Sequence, residues 1–366
     1  MVAGSPARLP RTGGHAARDL AHVGQAEAVP AHSVGVAPDR AHGRLAARMQ
    51  RHDPRLRSRG GHGRTVARPC FGRLTECLPS ATRLGQVSLQ VADLTRSVSF
   101  YQGVLGLRVV DGSGTSAVLA AHGDDRPLVQ LRELRGARPV PRKGALGLYH
   151  FAILLPDLPS LGRFVRHLGE IGVRAGAGDH LVSESFYLQD PDNLGIEVYA
   201  DRPRSTWRRV GRELMMATDP VDVGALLQAA GEAAWTGAPT GTTMGHVHLH
   251  VGDLEQTDAF YSEAVGFDRT VWHYPGALFL AAGGYHHHLG TNTWAGPGAT
   301  PSQPDDARLL EWTIVLPDGT SISEVGESLT RGNYPIVWEA DPAARRELVT
   351  HDPWGIQLRF VPSEVG

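Results

Sequence analysis

Hydrophobic and polar positions change texture near residue 84. From there on one frame recurs. An apolar, β-branched run meets an Asp or Pro-Asp turn, and about twelve residues follow with apolar positions three and four apart. The copies start at Leu84 (LGQVSLQVADL), Gly147 (GLYHFAILLPDL), Met244 (MGHVHLHVGDL) and Leu309 (LLEWTIVLPDG), the last being the weakest. The first part of each reads as a strand. The spacing at Val98, Tyr101 and Leu105, or at Phe260, Ala264 and Phe267, predicts an amphipathic helix. Gly106 and Gly266 close the first and third of these helices. Short segments bounded by Gly, Pro and Asp follow each helix and predict two or three further strands.

The pattern therefore predicts an α+β protein of four βαβββ modules. A module of this size cannot close a core alone, so modules should pair into curved sheets, giving two pseudo-symmetric halves. Along the chain the expected boundaries are a leader over 1–82, a first pair of modules over 83–201, a helical or irregular linker over 202–240, and a second pair over 241–363. The closing segments DPDNLGIEVY and DPWGIQLRF match in the second and fourth modules, which aligns Glu197 with Gln357.

Charge sets the leader apart. Residues 1–82 hold 13 Arg and 5 acidic residues, about +8, whereas the remainder carries about −10 within a net charge of −2. Rich in Ala, Gly, Pro, Arg and His, the leader has too little apolar surface to offset the entropy of ordering, so disorder is expected. It has no apolar h-region of a secretory signal. A transit peptide or nucleic-acid arm is the lesser reading. The bland one is an extension whose deletion through residue 80 leaves activity unchanged. The near-neutral total argues against nucleic acid as partner of the whole chain. No run of 18 apolar residues is present, so no membrane span is expected. Both cysteines, Cys70 and Cys77, lie in or beside the leader. The body therefore offers no thiolate ligand or disulfide, as suits a reducing cytoplasm.

The histidines carry the chemistry. Seven places before the turn aspartate stand Gln86, His150, His246 and Glu311 in the four copies. Two modules thus place an imidazole at the same point of the same strand. His246, His248 and His250 alternate and face one way, with His246 at the repeat position and the others lining the cavity. Glu197 on the closing strand of the second module adds a carboxylate. Two histidines and one carboxylate with open positions form the ligand set of non-haem Fe(II) oxygenases. His286, His287 and His288 in GGYHHHLG would alone suggest adventitious metal binding, but their position at the end of the third module faces the same cavity by repeat logic and points to a catalytic role.

Over residues 84–362 the chain resembles the vicinal oxygen chelate superfamily, and within it the type I extradiol, catechol 2,3-dioxygenase group. The resemblance rests on GLYHFAILLPD, GDHLVSESFYLQDPDNLGIEVYADRPRSTW, GHVHLHVGDL, FYSEAVGFD and AGGYHHHLGTNTW. It implies a glyoxalase/bleomycin resistance/dioxygenase-like fold with His150, His246 and Glu197 as metal ligands. It also implies His180 and Tyr187 near the substrate and His287 as catalytic histidine, with His288 one place off. In the common arrangement the ligands fall in the third and fourth modules. Here they fall in the second and third, which implies a swapped pairing of modules.

The implied function is ring cleavage of a catechol by O₂ at Fe(II), with Mn(II) as the alternative ion. His287 would be the general base, while His180 and Tyr187 would hydrogen-bond to developing oxygen charge. Trp272, Phe279, Tyr285 and Trp294 are candidates to wall the ring slot. A glyoxalase-like lyase or isomerase would need a fourth ligand, His287 or His288. A non-catalytic protein that sequesters an aromatic would not need the metal set. A small aromatic substrate and O₂ are the expected partners, and a homo-oligomer is left open.

Overall fold

A computed structural model describes residues 77–141, 143–340 and 346–363. Residues 1–76 of the expected leader lie outside the described residues, as does Cys70. The remainder of that leader is packed: Leu78 is buried and donates its N–H to the Gly266 carbonyl, and Thr82 is buried too. The folded chain thus begins ahead of both the boundary at 82 and a deletion point at 80. Among the described residues no helix is long and apolar enough to cross a membrane.

The first module comprises β1 (Arg83–Val91), α1 (Leu94–Gly103), β2 (Arg108–Ser113), β3 (Ser116–Ala120) and β4 (Val129–Glu133). The second comprises β5 (Ala145–Leu154), α2 (Leu158–Glu170), β6 (Gly176–Asp179), β7 (Ser183–Gln189) and β8 (Gly195–Asp201). The linker holds a small hairpin, β9 (Arg209–Val210) with β10 (Glu213–Leu214), and the short helix α3 (Val223–Ala229).

The third module has β11 (Thr243–His250), α4 (Leu254–Thr257), β12 (Asp268–Val271), β13 (Ala277–Ala281) and β14 (Leu289–Asn292). After β15 (Thr300–Pro301), which pairs with β5, the fourth has β16 (Arg308–Leu316), α5 (Gly319–Arg331), β17 (Ile336–Ala340), β18 (Arg346–His351) and β19 (Gln357–Pro362).

The recurring aspartate has a physical role in every copy. Asp93, Asp157, Asp253 and Asp318 are N-caps, their side chains accepting from the N–H of Arg96, Ser160, Gln256 and Ser321. The third helix departs from the expected α period. After α4 it continues as a π-helical turn over Asp258–Ala264. Phe260, Tyr261, Ser262 and Ala264 of this turn are all buried.

Strand pairing does not follow chain order. One sheet runs β17-β18-β19-β16-β1-β4-β3-β2 and joins the fourth module to the first. The other runs β12-β13-β14-β11-β5-β8-β7-β6 and joins the third to the second. The expected boundaries 83–201 and 241–363 therefore group modules as they follow along the chain, not as their strands bond.

A pair of clasps links the sheets. The Tyr101 hydroxyl donates to Asp190 Oδ2 at 3.3 Å, and the Tyr261 hydroxyl donates to Asp352 Oδ2 at 2.9 Å. Each tyrosine comes from an F-Y pair in one sheet's helix, and each aspartate from a D-P turn in the other sheet. Inside the turns, Asp190 Oδ1 accepts from the N–H of Asp192 and Leu194, and Asp352 Oδ1 from those of Trp354 and Ile356.

These bonds correct one alignment. They match Leu194 with Ile356 and place Asn193 (φ 65°) against Gly355 (φ 88°), both left-handed. Gln357 therefore corresponds to Gly195, and the residue at the position of Glu197 is Arg359. The Gly-Ile pair seen in both sequences had misled the register by two residues.

Tyr101→Phe and Tyr261→Phe should each cost about 1 kcal/mol in urea denaturation, the net worth of a buried hydrogen bond. Burial raises the Asp190 carboxyl to about 7 and that of Asp352 to about 6. A carboxyl raised on folding stabilises fully at low pH and loses that contribution as pH climbs from about 4 toward its folded value. The stability of Asp190→Asn should consequently fall less than that of the wild type between pH 5 and 8.

Candidate metal centre

The site is set by the pairing of β5 with β11. In this antiparallel ladder His248 faces His150, and His246 faces Ala152. Residues two apart share a face, so His150 and His246 are diagonal neighbours related by the pseudo-twofold between their modules. On the other side of β5, Ala152 pairs with Glu197 of β8, and Glu197 pairs in turn with Tyr187 of β7. One row across four strands thus reads His246, Ala152, Glu197, Tyr187. The methyl of Ala152 leaves a gap between imidazole and carboxylate.

Across that gap three donor atoms converge. His150 Nε2 lies 3.0 Å from Glu197 Oε2, His246 Nε2 lies 3.1 Å from the same oxygen, and the two nitrogens are 3.3 Å apart. For metal–ligand bonds of about 2.1 Å, adjacent octahedral positions are roughly 3.0 Å apart. The spacings therefore fit three cis ligands on one face of an octahedron. All three side chains are buried. Among the described residues they are the one group whose donors are placed to hold an ion, and neither His287 nor His288 joins it.

Electrostatics also suits a cation. Burial raises the Glu197 carboxyl, but the charge and hydrogen bonds of the two imidazoles outweigh it and hold the group well below its ordinary value. Burial in turn lowers His150 and His246, so the geometry supports an ionised carboxylate between two neutral imidazoles. Neutral imidazole and carboxylate are the forms that ligate metal. Among the described residues the buried carboxylate has no arginine or lysine partner, and His246 Nδ1 is buried without a hydrogen-bond partner.

The remaining candidates separate into flanks. On one, His180 Nδ1–H donates to the Ala217 carbonyl at 2.7 Å. His180 Nε2 is then the acceptor for the Tyr187 hydroxyl at 2.5 Å, and the Tyr187 ring lies 5.5 Å from that of His150. Burial keeps the Tyr187 hydroxyl well above its ordinary pKa, so it stays protonated. On the other flank the His287 ring lies 4.1 Å from that of His246, with Phe279 at 5.0 Å. His288 is turned away, its Nδ1 accepting from the Ala282 N–H.

His248 and His250 lie beside Tyr149, whose ring lies 5.1 and 4.7 Å from theirs. Asn292 orients both. Its Oδ1 accepts from His250 Nδ1 and the Trp294 N–H, which leaves its amide N–H to donate to His248 Nε2 at 2.9 Å. Gly290 is required here, since a Cβ would stand 2.9 Å from the His248 ring. Of the four wall candidates, Phe279 and Trp294 contact His248. Tyr285 instead packs on His286, and Trp272, exposed as Trp294 also is, lies beside His273.

Sequence reasoning passed over Ala152, Asn292 and Asp201. The one legible signal was a single small residue in the bulky run YHFAILL.

A profile of the Glyoxalase/Bleomycin resistance protein/Dioxygenase superfamily matches residues 83–198. The catechol-2,3-dioxygenase of Bacillus subtilis (strain 168) is 45% identical over 259 residues, 70% of this chain and 90% of that relative. The crystal structure of a putative dioxygenase from Bacillus subtilis superposes with a TM-score of 0.55 at 15% identity, covering 80% of this chain and 87% of that one. At that identity the likeness speaks for the fold alone. Glyoxalase I of Zea mays gives a TM-score of 0.48 at 18% identity, over 77% of this chain and 92% of its own.

Ala152→Val should push methyl groups into the gap between His246 and Glu197. Titration calorimetry should show metal affinity reduced at least about tenfold, with the far-UV circular dichroism spectrum unchanged.

Proposed function

For a chain that belongs to the glyoxalase/bleomycin resistance/dioxygenase (vicinal oxygen chelate) superfamily, we propose extradiol cleavage of a catechol or substituted catechol by O₂. The observation that carries the reading is the convergence of two imidazoles and one carboxylate, without a fourth protein ligand, in a relative of a catechol-2,3-dioxygenase. His150, His246 and Glu197 would hold Fe(II), with Mn(II) the alternative. Bound there, the ion would supply Lewis acidity to acidify the catechol hydroxyls and a redox path between ring and O₂.

The protein's own groups account for the proton traffic. His287 lies beside His246 and can accept a hydroxyl proton from a catechol at the centre. Tyr187 and His180 form a hydrogen-bonded pair on the opposite flank. The buried Tyr187 hydroxyl can hydrogen-bond to negative charge growing on a substrate oxygen and later return a proton, its supply renewed through His180. Tyr149, Phe279 and Trp294 give aromatic faces for the ring beside His248. A glyoxalase-like isomerisation is the second reading. It is disfavoured because neither His287 nor His288 joins the donor group as a fourth ligand.

Protein purified anaerobically, loaded with Fe(II) or Mn(II) and assayed in an oxygen electrode should consume one O₂ per catechol and form a yellow ring-fission product. Iron-loaded protein inert toward every catechol would sink the reading. Turnover without O₂ would favour the isomerase. His150→Ala should lower kcat by more than about 100-fold. Gln86→Ala, at the corresponding position of the other sheet, should leave it unchanged.

A further inference from the structure

Behind His287 lies a chain of contacts that the proposed reaction has not yet used. His286 is fully buried, and its Nε2 lies 2.9 Å from Asp201 Oδ1. Its Nδ1 lies 2.7 Å from His287 Nδ1. Asp201 also accepts from the Tyr285 hydroxyl at 3.3 Å, and that hydroxyl lies 2.7 Å from the Tyr199 hydroxyl. The backbone is pinned as well, the Thr270 hydroxyl donating to the His286 carbonyl at 2.7 Å.

We infer that Asp201 and His286 are positioning residues that hold His287 in a single tautomer with Nε2 as its proton-accepting nitrogen. The assignment takes Asp201 as ionised and His286 as neutral, and then follows from counting protons. An ionised carboxylate only accepts, so His286 Nε2 must carry the hydrogen in its bond to Asp201. A neutral His286 then has its lone pair on Nδ1. The contact between the two Nδ1 atoms holds one proton, which therefore sits on His287. The remaining lone pair of His287 is on Nε2.

The consequence is a directed base. His287 cannot present an N–H at Nε2 without losing its bond to His286. When Nε2 accepts a hydroxyl proton, the new positive charge on His287 is met by the His286 lone pair. His286 in turn leans on the Asp201 carboxylate, whose side chain is 25% exposed at the outer end of the relay. The arrangement follows the logic by which a buried carboxylate fixes a catalytic histidine, with one more imidazole interposed. No proton need reach Asp201 for it to work.

This inference rests on the reading of His287 as the base, but its test does not need turnover. Long-range ¹H–¹⁵N spectra of the full chain, labelled at histidine and recorded metal-free and with Zn(II), report each ring's tautomer. His287→Gln assigns the signal. Wild type should show His287 as the Nδ1–H form alone. Asp201→Asn, whose amide can donate to His286 Nε2, should bring in the Nε2–H form. With an active catechol, Asp201→Asn should lower kcat on the order of 100-fold, with KM and metal content within about twofold, and Asp201→Glu should restore most of the rate. An unchanged His287 tautomer in Asp201→Asn, or a rate loss matched by metal loss, would overturn the relay. Should wild type cleave no catechol while the tautomer still switches, the ring-cleavage reading fails and the positioning role stands.

Discussion

Everything at this centre depends on the register between β5 and β11. Antiparallel pairing sets His150 opposite His248 and His246 opposite Ala152. This makes the two ligand candidates diagonal neighbours on one face. A slip of one residue would send either imidazole to the other side of the sheet. The same row places Glu197 beyond Ala152, so a methyl group maintains the opening in which three donors meet. The hole is created by what β5 lacks at one position as much as by what its neighbours carry.

The other sheet shows the same plan put to a different use. There the positions of His150 and His246 fall to Gln86 and Glu311, and strand pairing puts Gln130 and Arg359 where Glu197 stands. Glu311 accepts from Arg359 Nε at 3.0 Å, and the same guanidinium reaches Glu339 and Glu347. A partly buried negative group needs a positive one, and here the chain supplies it from its own side chains. In the sheet of the second and third modules no guanidinium among the described residues reaches Glu197, and three donors turn toward a shared point instead. The repeat thus carries an ion-pair cluster in one sheet and a cluster of two imidazoles and a carboxylate at the equivalent place in the other.

Around the centre, the groups proposed as acid and base lie apart. Tyr187 and His180 approach from β7 and the loop before it, on the side of Glu197 and His150. His287 approaches from the turn before β14, on the side of His246. Each candidate is oriented by a group that takes no part in the contact with the centre: the Ala217 carbonyl behind His180, and the His286–Asp201 pair behind His287.

The local signals were legible in the amino-acid order alone. They give four modules, a helix-capping aspartate in each, two imidazoles at the repeat position and a carboxylate on a closing strand, because period, cap and turn are properties of neighbouring residues. The resemblance to ring-cleaving enzymes was carried by contiguous motifs of this kind. What the order could not settle was which modules bond to which, since β5 is free to pair with β1 or β11 until long-range contacts choose. The register of β19 was equally hidden: the Gly-Ile pair suggested Gln357, whereas the hydrogen bonds of Asp352 select Arg359. Asp201, Asn292 and Ala152 matter only through partners dozens of residues away, or across a strand. Side-chain chemistry is written locally, but the distances that turn it into a site are decided by the pairing of the whole sheet.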